Sequence, residues 1–274
     1  METITGRQTA EIRHIMDLRL DGQSAVVTGA SRGIGLAVTR GLVAEGVQVT
    51  AGALKSSAEL DELARAGTVR VVEVDLAEPA GPGRIVASAG DRIDILVNNV
   101  GAAPPRMAGF GAITDEDWLA SLTLNLMAAV RTTRAALPVM LAAGKGAIVN
   151  TSSVNAFLPD PFVMDYSAAK AALANFSKSL SKEVGPRGIR VNTISPGPVA
   201  TDLWLSDHGV AATVSRATGA RPEDVRHQEE DQTVTGRFSR PDEVADLVLI
   251  LASDRTANIT GADITIDGGL IPTL

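Results

Sequence analysis

The composition of this chain excludes several classes of function. The 274 residues are 45% apolar and 21% charged, with a formal net charge of −7 and no cysteine. The negative charge argues against nucleic acid or an anionic membrane as a partner. The absence of cysteine excludes disulfides and thiolate chemistry and suits a reducing, cytoplasmic setting. The length is compatible with one large domain.

No metal site, membrane span or secretory signal is expected. The three histidines, His14, His208 and His227, lack metal-ligand spacing. No apolar run approaches the roughly 18 residues of a membrane span, and Pro138 interrupts the nearest one. The N-terminal segment has no apolar stretch of the kind found in signal peptides. Residues 1–19 are expected to form a tail, or a strap across a neighbouring subunit.

Short apolar runs alternate with segments of helical periodicity from residue 24 onwards. Seven runs are predicted to be strands: 24–29, 47–53, 69–75, 93–99, 146–153, 189–195 and 262–269. Helices are predicted at about 35–45, 58–66, 114–137, 166–184 and 239–252. Apolar strands separated by helices are typical of a parallel sheet covered on both faces. The prediction is therefore a single-domain, Rossmann-type α/β fold with a doubly wound, seven-stranded parallel sheet.

Two of the helix starts carry recognisable capping residues. Thr114 and Asp117 match the capping box, in which two side chains satisfy free backbone N–H groups. Ser239 is predicted to cap the last helix, with Pro241 in its first turn and Asp242 as a nearby acid.

A glycine-rich loop follows the first predicted strand. The stretch TGASRGIG places glycines at positions 29, 33 and 35. Glycines let a backbone approach a pyrophosphate closely, and the following helix offers free N–H groups and the positive end of its dipole. A tight turn without a ligand is the alternative. The position after the first strand of an alternating α/β chain favours nucleotide binding.

The single tyrosine, Tyr166, is followed four residues later by Lys170. On a helix these two side chains share a face. A cation beside a phenol favours the phenolate and lowers the tyrosine pKa from its usual value of about 10. Such a pair suits a general acid/base near neutral pH. A helix start with a solvated lysine is the alternative interpretation of an isolated YxxxK.

Six motifs in order resemble the short-chain dehydrogenase/reductase family in its compact, single-domain form. They are TGASRGIG at 28–35, NNVG at 98–101, Ser153, the YxxxK at 166–170, PGPVATD at 196–202 and TGADITIDGG at 260–269. The resemblance implies an NAD(P)-dependent oxidoreductase that interconverts a ketone and a secondary alcohol. Reductases of 3-oxoacyl thioesters share this motif set and are candidates. It also implies a homo-oligomer, commonly a tetramer and otherwise a dimer, with the helices near 117–137 and 166–184 at one interface.

The resemblance also assigns roles to individual residues. Tyr166 corresponds to the proton donor in reduction, and Lys170 to the residue that tunes the tyrosine and binds the nicotinamide ribose. Ser153 corresponds to the donor that polarises the substrate oxygen, and Asn125 to the helix residue that holds a water on a proton relay. The implied cofactor contacts are Gly29, Ser31, Arg32, Gly33, Ile34, Gly35, Ala53, Lys55, Asp75, Asn98, Gly101, Tyr166, Lys170, Pro196, Gly197, Val199 and Thr201.

The residues after the second strand favour NADP(H) over NAD(H). NAD-binding relatives place an acid there to bind the ribose hydroxyls, whereas this chain has Ala53. Arg32 and Lys55 supply positive charge for a 2′-phosphate, although both can equally be ordinary surface cations. Asp75 matches the family's residue near the adenine, and a simple turn residue is the competing interpretation.

Residues 203–237 are predicted to form a charged lid over the substrate. The expected pocket lining is mostly apolar: Met107, Phe110, Phe157, Phe162, Met164 and Trp204. These features suggest an uncharged ketone or secondary alcohol of medium size. One alternative function is a sensor that binds NADP(H) without turnover, although such proteins commonly lose the Tyr or Lys. Another is an epimerase or dehydratase of the family's extended branch, whose GxxGxxG motif this chain lacks.

Overall fold

The computed structural model describes residues 17–273 and contains the predicted parallel sheet. Its strands are β1 (Ser24–Thr28), β2 (Gln48–Ala53), β3 (Val69–Glu73), β4 (Ile95–Asn98), β5 (Gly146–Thr151), β6 (Ile189–Pro196) and β7 (Asp263–Ile266). The strand order is β3-β2-β1-β4-β5-β6-β7, and every pair is parallel. The order reverses between β1 and β4, which opens a crevice at the carboxyl ends of these strands. The seven-stranded Rossmann-type prediction is confirmed.

Helices cover both faces of the sheet. They are α1 (Gly33–Ala44), α2 (Ala58–Arg65), α3 (Gly81–Ala89), α4 (Asp115–Leu122), α5 (Ala128–Ala143), α6 (Met164–Val184), α7 (Asp202–Leu205), α8 (Val210–Thr218), α9 (Pro222–Asp231) and α10 (Pro241–Ala252). One hydrophobic core joins α1, α2 and α10 to the sheet. A second core joins α3, α5 and α6 to the opposite face. Burial on both sides explains the continuous apolar runs of the central strands β1 and β4.

Three local features differ from the sequence prediction. Helix α3 was not predicted, because Gly81, Pro82 and Gly83 in its first turn hide the helical pattern. Helix α5 continues through Pro138 to Ala143. The carbonyl that the proline leaves without a donor lies on the exposed side of the helix, where water can bind it.

The third difference concerns the start of α10. Helix α10 is capped at Arg240, not Ser239, and Glu243 accepts a hydrogen bond from the Arg240 backbone N–H at 2.8 Å. The predicted lid contains three helices, α7 to α9. The predicted capping box at Thr114 is present with both of its hydrogen bonds. The prediction for residues 1–19 falls largely outside the described residues, and Asp17 and Leu18 accept side-chain hydrogen bonds from the segment after α10.

The helical stretch Asp115–Ala143 is long and apolar enough to cross a membrane by length and composition. A third of its most apolar window is buried. This stretch packs on β4, β5, α3 and α6, as a core helix of a globular domain does. Its continuity is interrupted by a π-helical turn at Thr123–Met127, which contains Asn125. Such wide turns occur frequently at functional sites.

Candidate active site

The glycine-rich loop leaves β1 and enters α1 at the crevice between β1 and β4. Gly29 and Gly33 adopt positive φ angles of 67° and 54°, which residues with side chains rarely adopt. A Cβ on Gly35 would lie 2.1 Å from the Gly29 carbonyl oxygen, so only glycine fits there. The start of α1 has no side-chain cap and no acid in its first turn. This arrangement fits a pyrophosphate, because free N–H groups and the helix dipole remain available to an anion.

Asn99 holds the glycine-rich loop against β4. Its side-chain Nδ2 donates to the carbonyl oxygens of Thr28 and Gly29, both at 3.3 Å. Its backbone N–H donates to the Thr28 hydroxyl at 2.9 Å. Thr28 and Asn99 were not predicted as site residues, although they lie in the motifs TGASRGIG and NNVG.

Asn98 and Asp75 use their side chains for local structure. The Asn98 side chain is 2% exposed and donates to Asn150 Oδ1 at 2.8 Å and to Thr133 Oγ1 at 3.0 Å. Asp75 Oδ1 accepts a hydrogen bond from the Ala77 backbone N–H at 2.8 Å, which is the geometry of a turn residue. The structure therefore gives Asn98 no side-chain contact with the crevice, and it supports the turn interpretation of Asp75.

The remaining predicted cofactor contacts surround the crevice. Thr201, after β6, packs close to Gly33 and donates to the Val199 carbonyl oxygen at 3.4 Å. The end of β6 is fixed by the Gly197 N–H, which donates to the Ile266 carbonyl oxygen at 3.0 Å. Ala53 is buried at the end of β2, whereas Arg32 and Lys55 are exposed. Ser31 and Ile34 are partly exposed in the glycine-rich loop.

Lys170 and Tyr166 share one face of α6, as predicted. The Lys170 Nζ lies 5.6 Å from the centre of the Tyr166 ring and donates to the Thr151 carbonyl oxygen at 2.7 Å. Lys170 is 3% exposed. Its ammonium group has lost most of its hydration, and burial lowers its pKa to about 8. The sequence did not indicate Thr151 as its partner.

The expectation that Lys170 lowers the pKa of Tyr166 is wrong. Part of the Tyr166 side chain stays exposed, but the groups packed around the phenol limit hydration of the phenolate and raise its pKa above the usual value. The neighbouring Ser153 hydroxyl offsets part of this rise. The lysine does not counter it, because its ammonium group points to the Thr151 carbonyl oxygen.

Ser153 and Asn125 complete the predicted group of four. Ser153 caps the turn after β5, donating to Asn155 Oδ1 at 3.1 Å and accepting from the Asn155 N–H at 3.2 Å. Asn125 accepts from the Ala102 N–H and donates to the Ala102 carbonyl oxygen, both at 3.0 Å. A Cβ on Gly101 would lie 2.7 Å from Asn125 Oδ1 and 3.4 Å from Lys170 Nζ. Asn125 and Lys170 therefore approach the same point beside Gly101.

The predicted pocket lining is only partly assembled. Phe110, Phe157 and Phe162 are 65%, 50% and 47% exposed. Trp204 packs edge-to-face on Phe238 inside the C-terminal part of the fold, with ring centres 5.2 Å apart. Met164 lines an open cavity of about 470 Å³, together with Asn155, Pro159 and Asp160. That cavity lies along the side of α6 that faces away from Tyr166 and Lys170.

Comparison with known proteins identifies the family of this chain. A family model described as "Enoyl-(Acyl carrier protein) reductase" matches residues 29–271. The chain is 34% identical to the 3-oxoacyl-(acyl-carrier-protein) reductase FabG of Thermotoga maritima, over 93% of this chain and all of that protein. It is 37% identical to the D-threitol dehydrogenase of Mycolicibacterium smegmatis, over 96% of this chain and 98% of that protein. The chain belongs to the short-chain dehydrogenase/reductase family.

A crystal structure of a related protein also matches this chain. The L-sorbose reductase of Gluconobacter frateurii, solved as a complex with NADPH and L-sorbose, superimposes with a TM-score of 0.86. It is 35% identical, and the match covers 94% of this chain and all of that one. The protein described here is accordingly an NAD(P)-dependent dehydrogenase/reductase acting on CH–OH and C=O groups. Among residues 17–273 no group of three or more His, Asp or Glu side chains is placed to hold a metal ion.

Proposed function

We propose that this short-chain dehydrogenase/reductase interconverts a ketone and a secondary alcohol with NADP(H), and that Tyr166 is its general acid/base. The observation that carries the proposal is the convergence of Tyr166, Lys170, Ser153 and Asn125 beside a glycine-lined crevice that fits a dinucleotide. A sensor without turnover is less well supported, because the relatives named above are enzymes and both the Tyr and the Lys are in place.

Each residue of this group has a definite task in the proposed reaction. The nicotinamide supplies or accepts the hydride when it is bound. Ser153 donates a hydrogen bond to the substrate oxygen and polarises the C=O bond. Tyr166 donates a proton to that oxygen in reduction and accepts one in oxidation. Lys170 keeps positive charge near the phenol and replaces the lost proton, and Asn125 holds the backbone next to Gly101 in place for this relay.

Lys170 is suited to pass protons at neutral pH. A pKa of about 8 keeps most of the lysine charged at pH 7, yet it allows proton release much more readily than a solvated lysine does. Lys170, whose ammonium group donates a hydrogen bond to the Thr151 carbonyl oxygen at 2.7 Å, would hold the nicotinamide ribose of a bound cofactor. Its positive charge lies 5.6 Å from the ring centre of Tyr166 and would stabilise the phenolate formed when Tyr166 gives up its proton.

The substrate is proposed to be an uncharged ketone of medium size or its alcohol. The named activities of the relatives include reduction of 3-oxoacyl thioesters and of L-sorbose and oxidation of D-threitol. Helices α7 to α9 are proposed to act as the lid over this substrate. A homotetramer or dimer, a cytoplasmic location and 3-oxoacyl-thioester reduction all remain predictions from the sequence.

The test is NADPH consumption by the purified protein, with NADH measured in parallel. The panel contains L-sorbose, acetoacetyl thioesters, cyclic ketones, α-diketones and a steroid ketone. We expect NADPH-linked turnover of at least one ketone. If NADPH and NADH bind but neither is consumed with any member or in the reverse direction with alcohols, the sensor function replaces the proposal.

The proposed preference for NADP(H) depends on two exposed cations. Arg32 and Lys55 are exposed, and Ala53 stands at the end of β2, where NAD-binding relatives have an acid. Two acids from neighbouring elements, Glu73 at the end of β3 and Asp61 in α2, lie beside this turn, since the Ser56 N–H donates to Glu73 Oε1 at 2.9 Å and the Ser56 hydroxyl donates to Asp61 Oδ1 at 2.5 Å. Arg32 and Lys55 form no ion pair among the described residues, so both are available to a phosphate.

We expect the double substitution Arg32→Ala with Lys55→Ala to lower kcat/KM for NADPH by about 10- to 100-fold, because charge-assisted hydrogen bonds to the 2′-phosphate are lost. The value for NADH should change less than about threefold. The matched control is Arg40→Ala, which removes an exposed cation further along the same helix. Equal losses with both cofactors, or a wild-type enzyme that prefers NADH, would contradict the proposed preference.

A further inference from the structure

Arg106 connects three segments around the candidate site, and none of the functional roles above includes it. It lies in the loop between β4 and α4, and its side chain is 17% exposed. The guanidinium donates to Asp165 Oδ2 from Nη2 at 2.6 Å and from Nε at 3.2 Å. Nη1 donates to Asp117 Oδ1 at 2.8 Å. The Arg106 backbone N–H donates to the Phe162 carbonyl oxygen at 2.6 Å.

Asp165 immediately precedes Tyr166 in the first turn of α6 and is completely buried. A buried carboxylate is costly unless a charge and hydrogen bonds compensate it. The dipole at the helix start supplies part of this compensation. Arg106 supplies the only ion pair of Asp165 among the described residues, and the second carboxylate oxygen, Oδ1, has no hydrogen-bond partner there. The position of this carboxylate therefore depends on Arg106.

The two acids that Arg106 binds lie at the starts of two functional helices. Asp165 begins the helix that carries Tyr166 and Lys170. Asp117 is the acid of the capping box that starts α4, and the π-helical turn with Asn125 directly continues α4. A helix moves as a rigid element. Because Arg106 joins the start of α4 to the start of α6, it also fixes the distance between Asn125, which follows α4, and Tyr166 in α6.

We propose that Arg106, together with Asp165, is a positioning residue that sets Tyr166 relative to Asn125 and the substrate loops. The inference rests on the function proposed above. Arg106 does not touch the reacting atoms. It locks the start of α6 to the start of α4, and its backbone N–H locks the loop after β4 to the segment before α6. Lysine cannot replace Arg106 fully. The planar guanidinium binds Asp165 through Nε and Nη2 and Asp117 through Nη1, whereas a single ammonium group cannot reproduce this geometry.

The test uses Arg106→Gln, Arg106→Lys and Asp165→Asn, with Arg92→Gln as matched control. Arg92 also pairs with a buried carboxylate, Asp94, at 2.7 Å, but it lies just before β4, at the amino-terminal end of the strands, whereas the site lies at their carboxyl ends. For Arg106→Gln we expect kcat to fall by about 100-fold, as misplacement of a reacting group by about 1 Å does. The KM for ketone and the Kd for NADPH should change less than about threefold. Arg106→Lys should retain an intermediate kcat.

The second readout needs no turnover. Because Tyr166 is the single tyrosine of the chain, 3-fluorotyrosine labelling gives one ¹⁹F resonance that reports this ring alone. We expect Arg106→Gln and Asp165→Asn to shift or split the resonance in the folded protein, and Arg92→Gln to leave it unchanged.

The proposal is overturned if the Arg106 and Asp165 variants lower only the melting temperature, as the control does, while kcat and the ¹⁹F resonance match the wild type. If Arg106→Gln does not fold, the kcat values and ¹⁹F resonances of Arg106→Lys and Asp165→Asn test the proposal by the same criteria. A wild-type protein without turnover would refute the proposed function. The ¹⁹F resonances of the wild type and the variants would still test whether Arg106 positions Tyr166.

Discussion

Tyr166→Phe is expected to lower kcat for ketone reduction by about 10²- to 10⁴-fold, the usual contribution of a positioned general acid. The substitution removes one oxygen and leaves the ring in place, so the packing of α6 should not change. The Kd for NADPH should stay within about threefold of the wild-type value, because the glycine-rich loop and Lys170 remain. Initial rates at 340 nm and a fluorescence titration with NADPH measure the two quantities.

The matched control for this variant is Ser167→Ala, which removes the hydroxyl of the next residue in α6. That hydroxyl is buried and donates to the Val163 carbonyl oxygen at 2.9 Å, on a different face of the helix from Tyr166. Its loss should leave kcat within about threefold of wild type. If Tyr166→Phe retained more than about a tenth of the wild-type kcat, Tyr166 would not be the proton donor.

Lys170→Met is expected to lower kcat by about 100-fold and to change how stability depends on pH. Burial lowers the pKa of Lys170 to about 8 in the folded protein, against about 10.4 for an unperturbed lysine. Between these values the unfolded chain binds more protons than the folded one. The free energy of unfolding of the wild type should therefore rise with pH across this window, by an amount on the order of 3 kcal/mol.

The lysine variant should lack this rise. Urea unfolding of both proteins at intervals from pH 7 to pH 10 measures the difference. Above pH 10 the raised pKa of Tyr166 acts in the opposite direction, because the unfolded chain loses the phenolic proton first and the folded state is then destabilised. A wild-type stability that does not rise between pH 8 and pH 10, relative to Lys170→Met, would contradict the burial of a charged Lys170 without an acidic partner.

Much of the fold could be predicted because its strands are buried on both faces. Strands buried on both faces contain continuous apolar runs, such as Ala25–Val27 and Ile95–Val97, which are easy to recognise in the sequence. The glycine-rich loop was recognisable because its backbone geometry excludes other residues, as the clash at Gly35 shows. Helix α3 escaped prediction because packing against the sheet, not local propensity, stabilises a first turn built from Gly81 and Pro82.

The details of the site depended on contacts between distant parts of the chain. Motif spacing placed Tyr166 and Lys170 on one face, but it could not show that Lys170 donates to Thr151 or that burial raises the pKa of Tyr166. Nor did the NNVG motif show that Asn98 faces Asn150 inside the fold. The ion pair of Arg106 with Asp165 joins residues 59 positions apart, and no local sequence pattern predicts it.

The most direct measurement is transfer of deuterium from C4-deuterated NADPH to the ketone that gives the highest rate in the panel. Both C4 epimers of the labelled cofactor are incubated with the enzyme and the ketone, and the alcohol is analysed by mass spectrometry and NMR. The proposed mechanism predicts that one epimer delivers its deuterium to the carbinol carbon, and that Tyr166→Phe nearly abolishes the labelled product. NADPH oxidation without deuterium in the alcohol from either epimer would contradict direct hydride transfer and the function proposed for this chain.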